Sequence, residues 1–368
     1  DCVYAKGHYD RVNDAVFDLL QKERDITREV LAQQAEKYQV CPFEMCLDLS
    51  LWVDDIICDY NYVFDPNVYL KRFFAEGVKG EYLFLVDEAH NLVDRAREMY
   101  SGALYKEDFL RFRKVMGSHS KKCAQAFGRC NKHLIEIKRQ CETYKVLDDI
   151  GGFAFALMQL GSAMEEFFLK EANFPEKKEV QEFYLELRHF LNMYERMDEN
   201  YVVYAEREDS KKFKIKLFCV NPAVNLQQCL DKGRSTIFFS ATLLPIQYYK
   251  KLLSAKEDNY AVYAQTVFED SQRFLAVGTD VSSKYTRRTE QEFLRIADYI
   301  YQASKAKKGN YIVFFPSYKM MGQVWEKFLN REGILEEVDC ICQEGGMAEQ
   351  ERELFLKAFS EHREKPLI

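Results

Sequence analysis

Several things are missing or scarce in these 368 residues. No apolar run approaches the ~20 residues that a membrane-spanning helix needs, so no membrane partner is expected. The opening Asp1-Cys2-Val3-Tyr4-Ala5-Lys6 has neither the basic nor the apolar region of a secretory signal, and an intracellular, cytoplasmic chain is the expectation. Glycine (16) and proline (7) are few, and no repeat or low-complexity segment occurs, which excludes fibrous and linker-like sequences. Positive charge is not in excess: Lys+Arg 52 stands against Asp+Glu 59, a net charge of −7. An overall basic footprint is therefore absent, although phosphate binding depends on where cations sit rather than on their sum. No G-x-x-x-x-G-K-S/T loop exists to cradle phosphates; Gly77 and Gly80 stand too close together for one.

What is present is ample core material. Hydrophobic residues make up 47% and aromatics 14% of the chain, enough for two or three packed domains at this length. Eleven cysteines is a high and odd number. Without a secretion signal, their irregular spacing reads as thiols or metal ligands rather than a disulfide framework. Both ends are abrupt, the chain closing on Lys365-Pro366-Leu367-Ile368, so a piece of a longer protein is expected.

Residues 10–38 are charged and helix-favouring, with Val12, Ala15, Val16 and Leu19 near helical spacing. Cys41-Pro42-Phe43 interrupts them. Tyr82-Leu83-Phe84-Leu85-Val86 is an unbroken apolar run, which predicts a parallel-sheet strand buried on both faces. The next hundred or so residues turn to helical spacing, and Tyr201–Tyr204 with Lys214–Phe218 predicts a hairpin that closes this helical insertion. Strand grammar returns at Ser235–Phe239 and at Tyr311–Phe315, the latter followed by Pro316-Ser317-Tyr318 and a helix through Trp325 and Phe328. Strand–loop–helix units of this kind predict an α/β fold.

The sharpest chemical signal is Val86-Asp87-Glu88-Ala89-His90. A carboxylate at the C-terminal end of a parallel strand faces the crevice where α/β sheets bind ligands. Asp87 there can hold Mg2+ through water, because Mg2+ prefers oxygen and keeps part of its hydration shell. Glu88 can orient or deprotonate a water attacking a γ-phosphate, and His90 can sense that phosphate or link to a neighbouring segment. The plain alternative is an acidic helix cap; the strand ahead of the acids favours the chemical reading. Ser240-Ala241-Thr242 also follows an apolar strand. Its hydroxyls, Ser240 and Thr242, can couple a nucleotide site to a nucleic-acid groove, although Ser and Thr also start many ordinary turns.

Asp87-Glu88-Ala89-His90 resembles motif II of superfamily 2 helicases, and Ser240-Ala241-Thr242 resembles motif III. The opening Cys2–Arg11, the block Cys41-Pro42-Phe43-Glu44 and the stretch Ile57–Pro66 are similar to the XPD/DinG branch, so the resemblance covers nearly the whole chain. It implies two RecA-like P-loop NTPase motor domains, both incomplete, with an iron–sulfur insertion and a mainly helical arch insertion. Residues 1–55 would be the iron–sulfur domain, 56–100 and 221–255 the first motor domain, 101–220 the arch, and 256–368 part of the second motor domain. The resemblance implies ATP, Mg2+ and a 4Fe–4S cluster as cofactors. Cys2 and Cys41 would be thiolate ligands and Cys46 a further candidate, with other ligands ahead of Asp1; Cys58 reads as core. The phosphate loop would also precede Asp1, and the arginine-bearing motif VI would follow Ile368. The parent would be a monomeric ATP-dependent DNA helicase in repair or replication, moving 5′→3′ on single-stranded DNA and opening forked or duplex DNA. This stretch alone is expected to lack ATPase activity. Phe314–Tyr318 resembles motif IV, in which Ser317 would contact the DNA backbone, an N-cap being its alternative. Gln343 with Glu349–Arg352 resembles the acidic helical stretch before motif V.

DNA contacts are expected in two more places. Tyr60, Asn61 and Tyr62 precede motif II, where the family's first motor domain approaches single-stranded DNA; buried aromatics supporting the adjoining domain are the alternative. Lysines and arginines crowd residues 106–139 with few acids between them. Lys121, Lys122 and Arg129 are the candidates for following a strand's phosphates, against a plain solvated helix face. Phe109, Phe112 and Phe127 are candidates for base stacking or for core. A non-catalytic DNA- or protein-binding module on a helicase scaffold is the competing reading. A cysteine-ligated electron-transfer protein would leave the ordered motifs unexplained.

Overall fold

The computed structural model describes residues 2–171, 173–208, 212–344, 346–360 and 364–368, in two compact units, Asp1–Val262 and Tyr263–Ile368. The first unit opens with three helices, α1 (His8–Lys22), α2 (Arg28–Tyr38) and α3 (Pro42–Leu49). Val12, Ala15, Val16 and Leu19 meet Ala35, Val40, Met45 and Leu49 in a small core of their own. Thr27 caps α2 by accepting the Val30 N–H at 3.4 Å. Gln39 ends that helix in the left-handed region (φ 52°). Arg11 donates there to the carbonyls of Tyr38 and Gln39 at 2.8 and 2.6 Å, which satisfies acceptors that a helix end leaves open. Pro42 starts α3 at the position where its missing N–H costs nothing.

Two short helices, α4 (Asn61–Phe64) and α5 (Lys71–Phe74), lead to β1 (Leu83–Val86) and α6 (Ala89–Met99). The partner of β1 is β6 (Ser235–Phe238), parallel, with Leu83 opposite Ser235 and Val86 opposite Phe238. The strand and its parallel pairing match the sequence expectation; burial on both faces does not. Leu83 and Leu85 are each 68% exposed, because among the described residues the sheet has two strands and nothing covers its outer face. Phe84 and Val86 turn inward. Gly233 lets the chain into β6 come close to β1: a Cβ there would stand 2.9 Å from the Tyr82 carbonyl oxygen.

Between the paired strands lies the insertion, made of β2 (Gly102–Tyr105), α7 (Lys106–Gly117), α8 (Lys121–Arg139), β3 (Tyr144–Val146), α9 (Gly151–Lys170), α10 (Lys177–Glu195), β4 (Tyr201–Arg207) and β5 (Phe213–Cys219). It is mainly helical, as expected, and β4 with β5 is the predicted hairpin. The structure adds β2 and β3 to that hairpin, giving an antiparallel sheet of order β2-β5-β4-β3. These added strands are three and four residues long, too short for alternation to mark them. Phe109, Phe127, Phe153 and Phe190 are fully buried among the helices. Burying each such ring contributes about 2–3 kcal/mol. α11 (Ala223–Leu230) precedes β6, and α12 (Ile246–Leu253) follows it.

The second unit contains α13 (Glu290–Ala306), α14 (Tyr318–Leu329), α15 (Ile334–Glu337) and α16 (Glu349–Lys357). The last covers the acidic stretch singled out in the sequence. The predicted strand Tyr311–Phe315 is only partly realised. The Tyr311 N–H donates to the Leu367 carbonyl at 2.7 Å and the Leu367 N–H to the Gly309 carbonyl at 3.1 Å, but no ladder forms beyond these isolated bridges among the described residues. Its side chains still alternate: Tyr311, Val313 and Phe315 pack on the core of Phe293, Val324 and Phe328, while Ile312 and Phe314 are exposed. Among the described residues, no helix is long and apolar enough to cross a membrane.

Thiol reactivity checks this packing. Cys123, Cys130, Cys141 and Cys219 are buried, and Cys2, Cys46 and Cys58 are exposed. Burial pushes the Cys130 thiol up to about 12, which leaves almost no reactive thiolate at neutral pH. Timed alkylation read by peptide mass spectrometry should label the exposed three first and the buried four only on unfolding. Early labelling of Cys130 would contradict the α8 packing.

Candidate active site

The turn joining β1 to α6 carries the acidic motif, and its geometry starts from the parallel ladder. The Phe239 N–H donates to the Val86 carbonyl at 3.0 Å, and the Ala89 N–H to the Phe239 carbonyl at 3.1 Å. Between these bonds the chain turns sharply, and Glu88 takes φ 45° and ψ 42°. A left-handed conformation costs a non-glycine residue about 1–2 kcal/mol and persists only where neighbours hold it. The Asp87 carboxylate accepts the Glu88 N–H at 2.7 Å. The Tyr60 hydroxyl donates to the carbonyl oxygens of Asp87 and Glu88, the latter at 3.1 Å. Burial, then the charges of Asp87 and Glu88, raise the Tyr60 phenol above its ordinary range, so it stays protonated and remains a donor at neutral pH.

The side chains converge with Ser240 and Thr242 at the end of β6. Ser240 Oγ donates to Glu88 Oε2 at 3.1 Å and accepts the Thr242 N–H at 3.2 Å. His90 Nδ1 lies 2.8 Å from Ser240 Oγ, 3.2 Å from Thr242 Oγ1 and 3.2 Å from Glu88 Oε2. An unprotonated Nδ1 would turn its lone pair toward that carboxylate oxygen, so the network favours the tautomer with the proton on Nδ1. Of the two roles considered for His90, the link to a neighbouring segment is the one this geometry builds. Asp87 and Glu88 are both exposed at the strand end, where a carboxylate pair can meet a metal and a water.

The other sequence candidates fall elsewhere. Asn61 Oδ1 accepts from Arg95 at 3.3 Å, and Tyr62 is half-buried. Ser317 caps α14 by accepting the Met320 N–H at 3.3 Å, its plainer reading. Lys121, Lys122 and Arg129 lie along α8. Lys122 pairs with Glu166, whose carboxyl is held down at about 2 by Lys122 and Lys170. Phe109, Phe112 and Phe127 are core, which rules out stacking on bases, because their ring faces pack on one another and on Phe183. The bracing of the acidic turn by Tyr60 was not legible in the sequence.

Two implied groups can be tested against these residues. Mg2+ takes one or two protein carboxylates and fills the rest of its shell with water and phosphate oxygens, and the exposed Asp87 at the strand end fits that donor set. The cluster does not fit. A 4Fe–4S cluster needs four converging thiolates, yet among the described residues no three His, Cys, Asp or Glu side chains gather where they could hold a metal. Cys41 precedes α3, with its N–H on His8 Nδ1 at 3.2 Å, and Cys2 and Cys46 are exposed. The expected set Cys2, Cys41 and Cys46 is therefore not assembled in this structure.

The strain at Glu88 makes a stability prediction. Glu88→Gly should raise the free energy of urea unfolding by up to about 1 kcal/mol, since glycine occupies φ > 0 freely. Tyr60→Phe should lower it by about 1 kcal/mol through the lost hydroxyl. A fall for Glu88→Gly would remove strain from the account of this turn.

Comparison with known proteins agrees with the order of these segments. The DEAD_2 family matches residues 1–109, and the Helicase C-terminal domain family matches residues 300–368. The chain is 24% identical over 295 residues to the ATP-dependent DNA helicase XPD of Sulfolobus acidocaldarius, an alignment covering 78% of this chain and 50% of that protein. It is 36% identical over 73 residues to the Fanconi anemia group J protein homolog of Gallus gallus, covering 20% of this chain and 6% of that protein. The chain thus spans about half the length of the first relative and a small part of the second. Helicase-family sequence at both ends, with the acidic and Ser-Ala-Thr motifs in order between them, makes the chain similar to the XPD-like helicases over most of its length.

Proposed function

We propose that this chain supplies the hydrolytic turn of an ATP-dependent DNA helicase that travels 5′→3′ on single-stranded DNA and opens forked or duplex DNA as a monomer. The observation that carries the reading is the bonding of Glu88 and His90 to Ser240 and Thr242 across the paired strand ends. Asp87 would hold Mg2+ through water, and the bound Mg2+ would offset charge on the phosphates. Glu88 orients the attacking water and takes its proton at Oε1 or Oε2. Ser240 and His90 fix which way that carboxylate points, so the water is placed before the reaction begins. Because Ser240 and Thr242 follow β6, a shift of β6 alters the carboxylate directly, a route by which strand binding can regulate turnover.

The finer assignments belong to the same proposal. Residues 1–55, 56–100 with 221–255, 101–220 and 256–368 are read as the counterpart of the family's iron–sulfur domain without an assembled ligand set, the first motor domain, the arch and the second motor domain. Ser317 is read as a phosphate contact in addition to its cap. Tyr60, Asn61 and Tyr62 are read as the strand-facing segment, with the Tyr60 hydroxyl tying that segment to the turn. No step is routed through a cluster. The competing reading, a binding module without catalysis, leaves the orientation of Glu88 unexplained.

The deciding experiment uses a protein that also carries the phosphate-binding loop. Glu88→Gln there should lower ATP turnover roughly 10²–10⁴-fold while nucleotide binding is retained; normal turnover would remove Glu88 from the mechanism. For this chain, anaerobic purification should give little iron and acid-labile sulfide. About four irons per chain would show that its thiols do gather.

A further inference from the structure

Two shallow grooves flank α8, and they differ in chemistry. The groove between α7 and α8, about 570 Å³, is lined by Arg113, Lys121, Arg129 and Lys132 with Gly117 and Gly128. Among the described residues none of these four cations forms an ion pair, whereas their neighbours Arg111 and Lys122 pair with Glu179 and Glu166. The guanidinium of Arg113 lies over Gly128, its central carbon 3.7 Å from where a Cβ would stand. The first turn of α8 has no acid, so the positive end of the helix adds to the same potential.

The groove between α8 and α9, about 730 Å³, is lined by Lys122, Arg129, Phe155, Met158, Gln159 and Ser162. Phe155 is 63% exposed and Met158 40%. Residues 155, 158, 159 and 162 share one face of α9 by helical spacing, so Phe155 and Met158 form one apolar patch beside the polar Gln159 and Ser162. Arg129 lines both grooves.

We propose that a single-stranded nucleic acid crosses α8, its phosphates in the α7–α8 groove on Arg113, Lys121 and Lys132, and its bases against Phe155 and Met158, with Arg129 reaching both. Unpaired cations attract a phosphodiester chain, and an exposed aromatic face beside a cation suits an unstacked base. A duplex offers phosphates but keeps its base faces stacked inside, so the second groove selects the single strand. This deepens the functional reading above, and it rests on that reading's choice of nucleic acid as partner. It adds Arg113, Lys132 and Phe155 to the contact set and assigns to Phe155 the stacking that Phe109, Phe112 and Phe127 are too buried to perform.

The test needs no nucleotide and uses this chain with a fluorescein-labelled oligo(dT) of about twenty nucleotides and a duplex of the same length, a span set by the site sizes of single-strand binders, read by anisotropy across a salt series. Phe155→Ala should weaken oligo(dT) binding roughly 5- to 100-fold and leave duplex binding unchanged. Arg113→Gln and Lys132→Gln should weaken both and lower the salt slope by about 0.7 for each lost phosphate contact on the single strand. Gly128→Met fills the first groove without changing charge or breaking the helix, and it too should weaken oligo(dT). Wild-type affinity in Phe155→Ala, with an unchanged circular dichroism spectrum, would overturn the proposal. So would a duplex bound as tightly as oligo(dT), or polyglutamate displacing the oligonucleotide as readily as unlabelled oligo(dT), which would point to an acidic protein segment. Failure of the unaltered chain to bind any nucleic acid would remove the nucleic-acid partner from the functional reading as well. Binding that ignores Phe155 would remove this crossing alone.

Discussion

A single peptide conformation at Glu88 governs the candidate site, and the pairing of β1 with β6 is what keeps it. Hydrogen bonds on either side of the turn, Phe239 to Val86 and Ala89 to Phe239, fix where the chain leaves one strand and enters the helix. With those ends set, the left-handed residue swings its carboxylate toward Ser240 rather than back along β1. A slip of one residue between the strands would carry Ser240 and Thr242 off the turn together. The hydroxyl of Tyr60 braces the same turn from the opposite side of the sequence. Strain at this residue holds a carboxylate in one direction where an exposed glutamate would otherwise find several rotamers.

Much of this was written in the sequence as pattern. The apolar run ending in Asp87-Glu88 announced a strand with acids at its exit, and Ser240 after a second run announced its neighbour. Pattern failed where distance in sequence mattered. Tyr60 meets the turn from 27 residues away, and an aromatic at the start of a short helix looks the same whether it stacks, packs or donates. Burial failed too. Leu83 and Leu85 are as apolar as any core strand, and composition does not say how many strands a sheet has. In α9 the run Gly151–Gln159 is nearly all small or apolar, so periodicity could not tell buried Phe153 from exposed Phe155, two residues apart and therefore on opposite sides of the helix.

Charge tells a similar story at another scale. The chain is acidic overall, yet its cations are sorted by their partners. Some are spent in ion pairs along α7, α8 and α10, and others line a groove without one. Solvent-exposed pairs of this kind contribute little to stability. Their larger effect is to leave most of the unneutralised charge along the α7–α8 groove, with Arg129 reaching the other side as well.

The antiparallel sheet in the insertion has a kinetic consequence. The residues that meet at the turn after β1 lie 150 or more positions apart, a separation whose closure entropy would make their encounter slow from an open chain. β2 and β5, however, pair Gly102 with Leu217, which brings the two ends of the insertion together. Once that pairing exists, only α6 on one side and the α11 segment on the other separate β1 from β6, and the remaining loop is short. The β2–β5 pairing therefore acts as a clasp: it shortens the loop that has to close for β1 to meet β6, and so lowers the entropic cost of forming the turn.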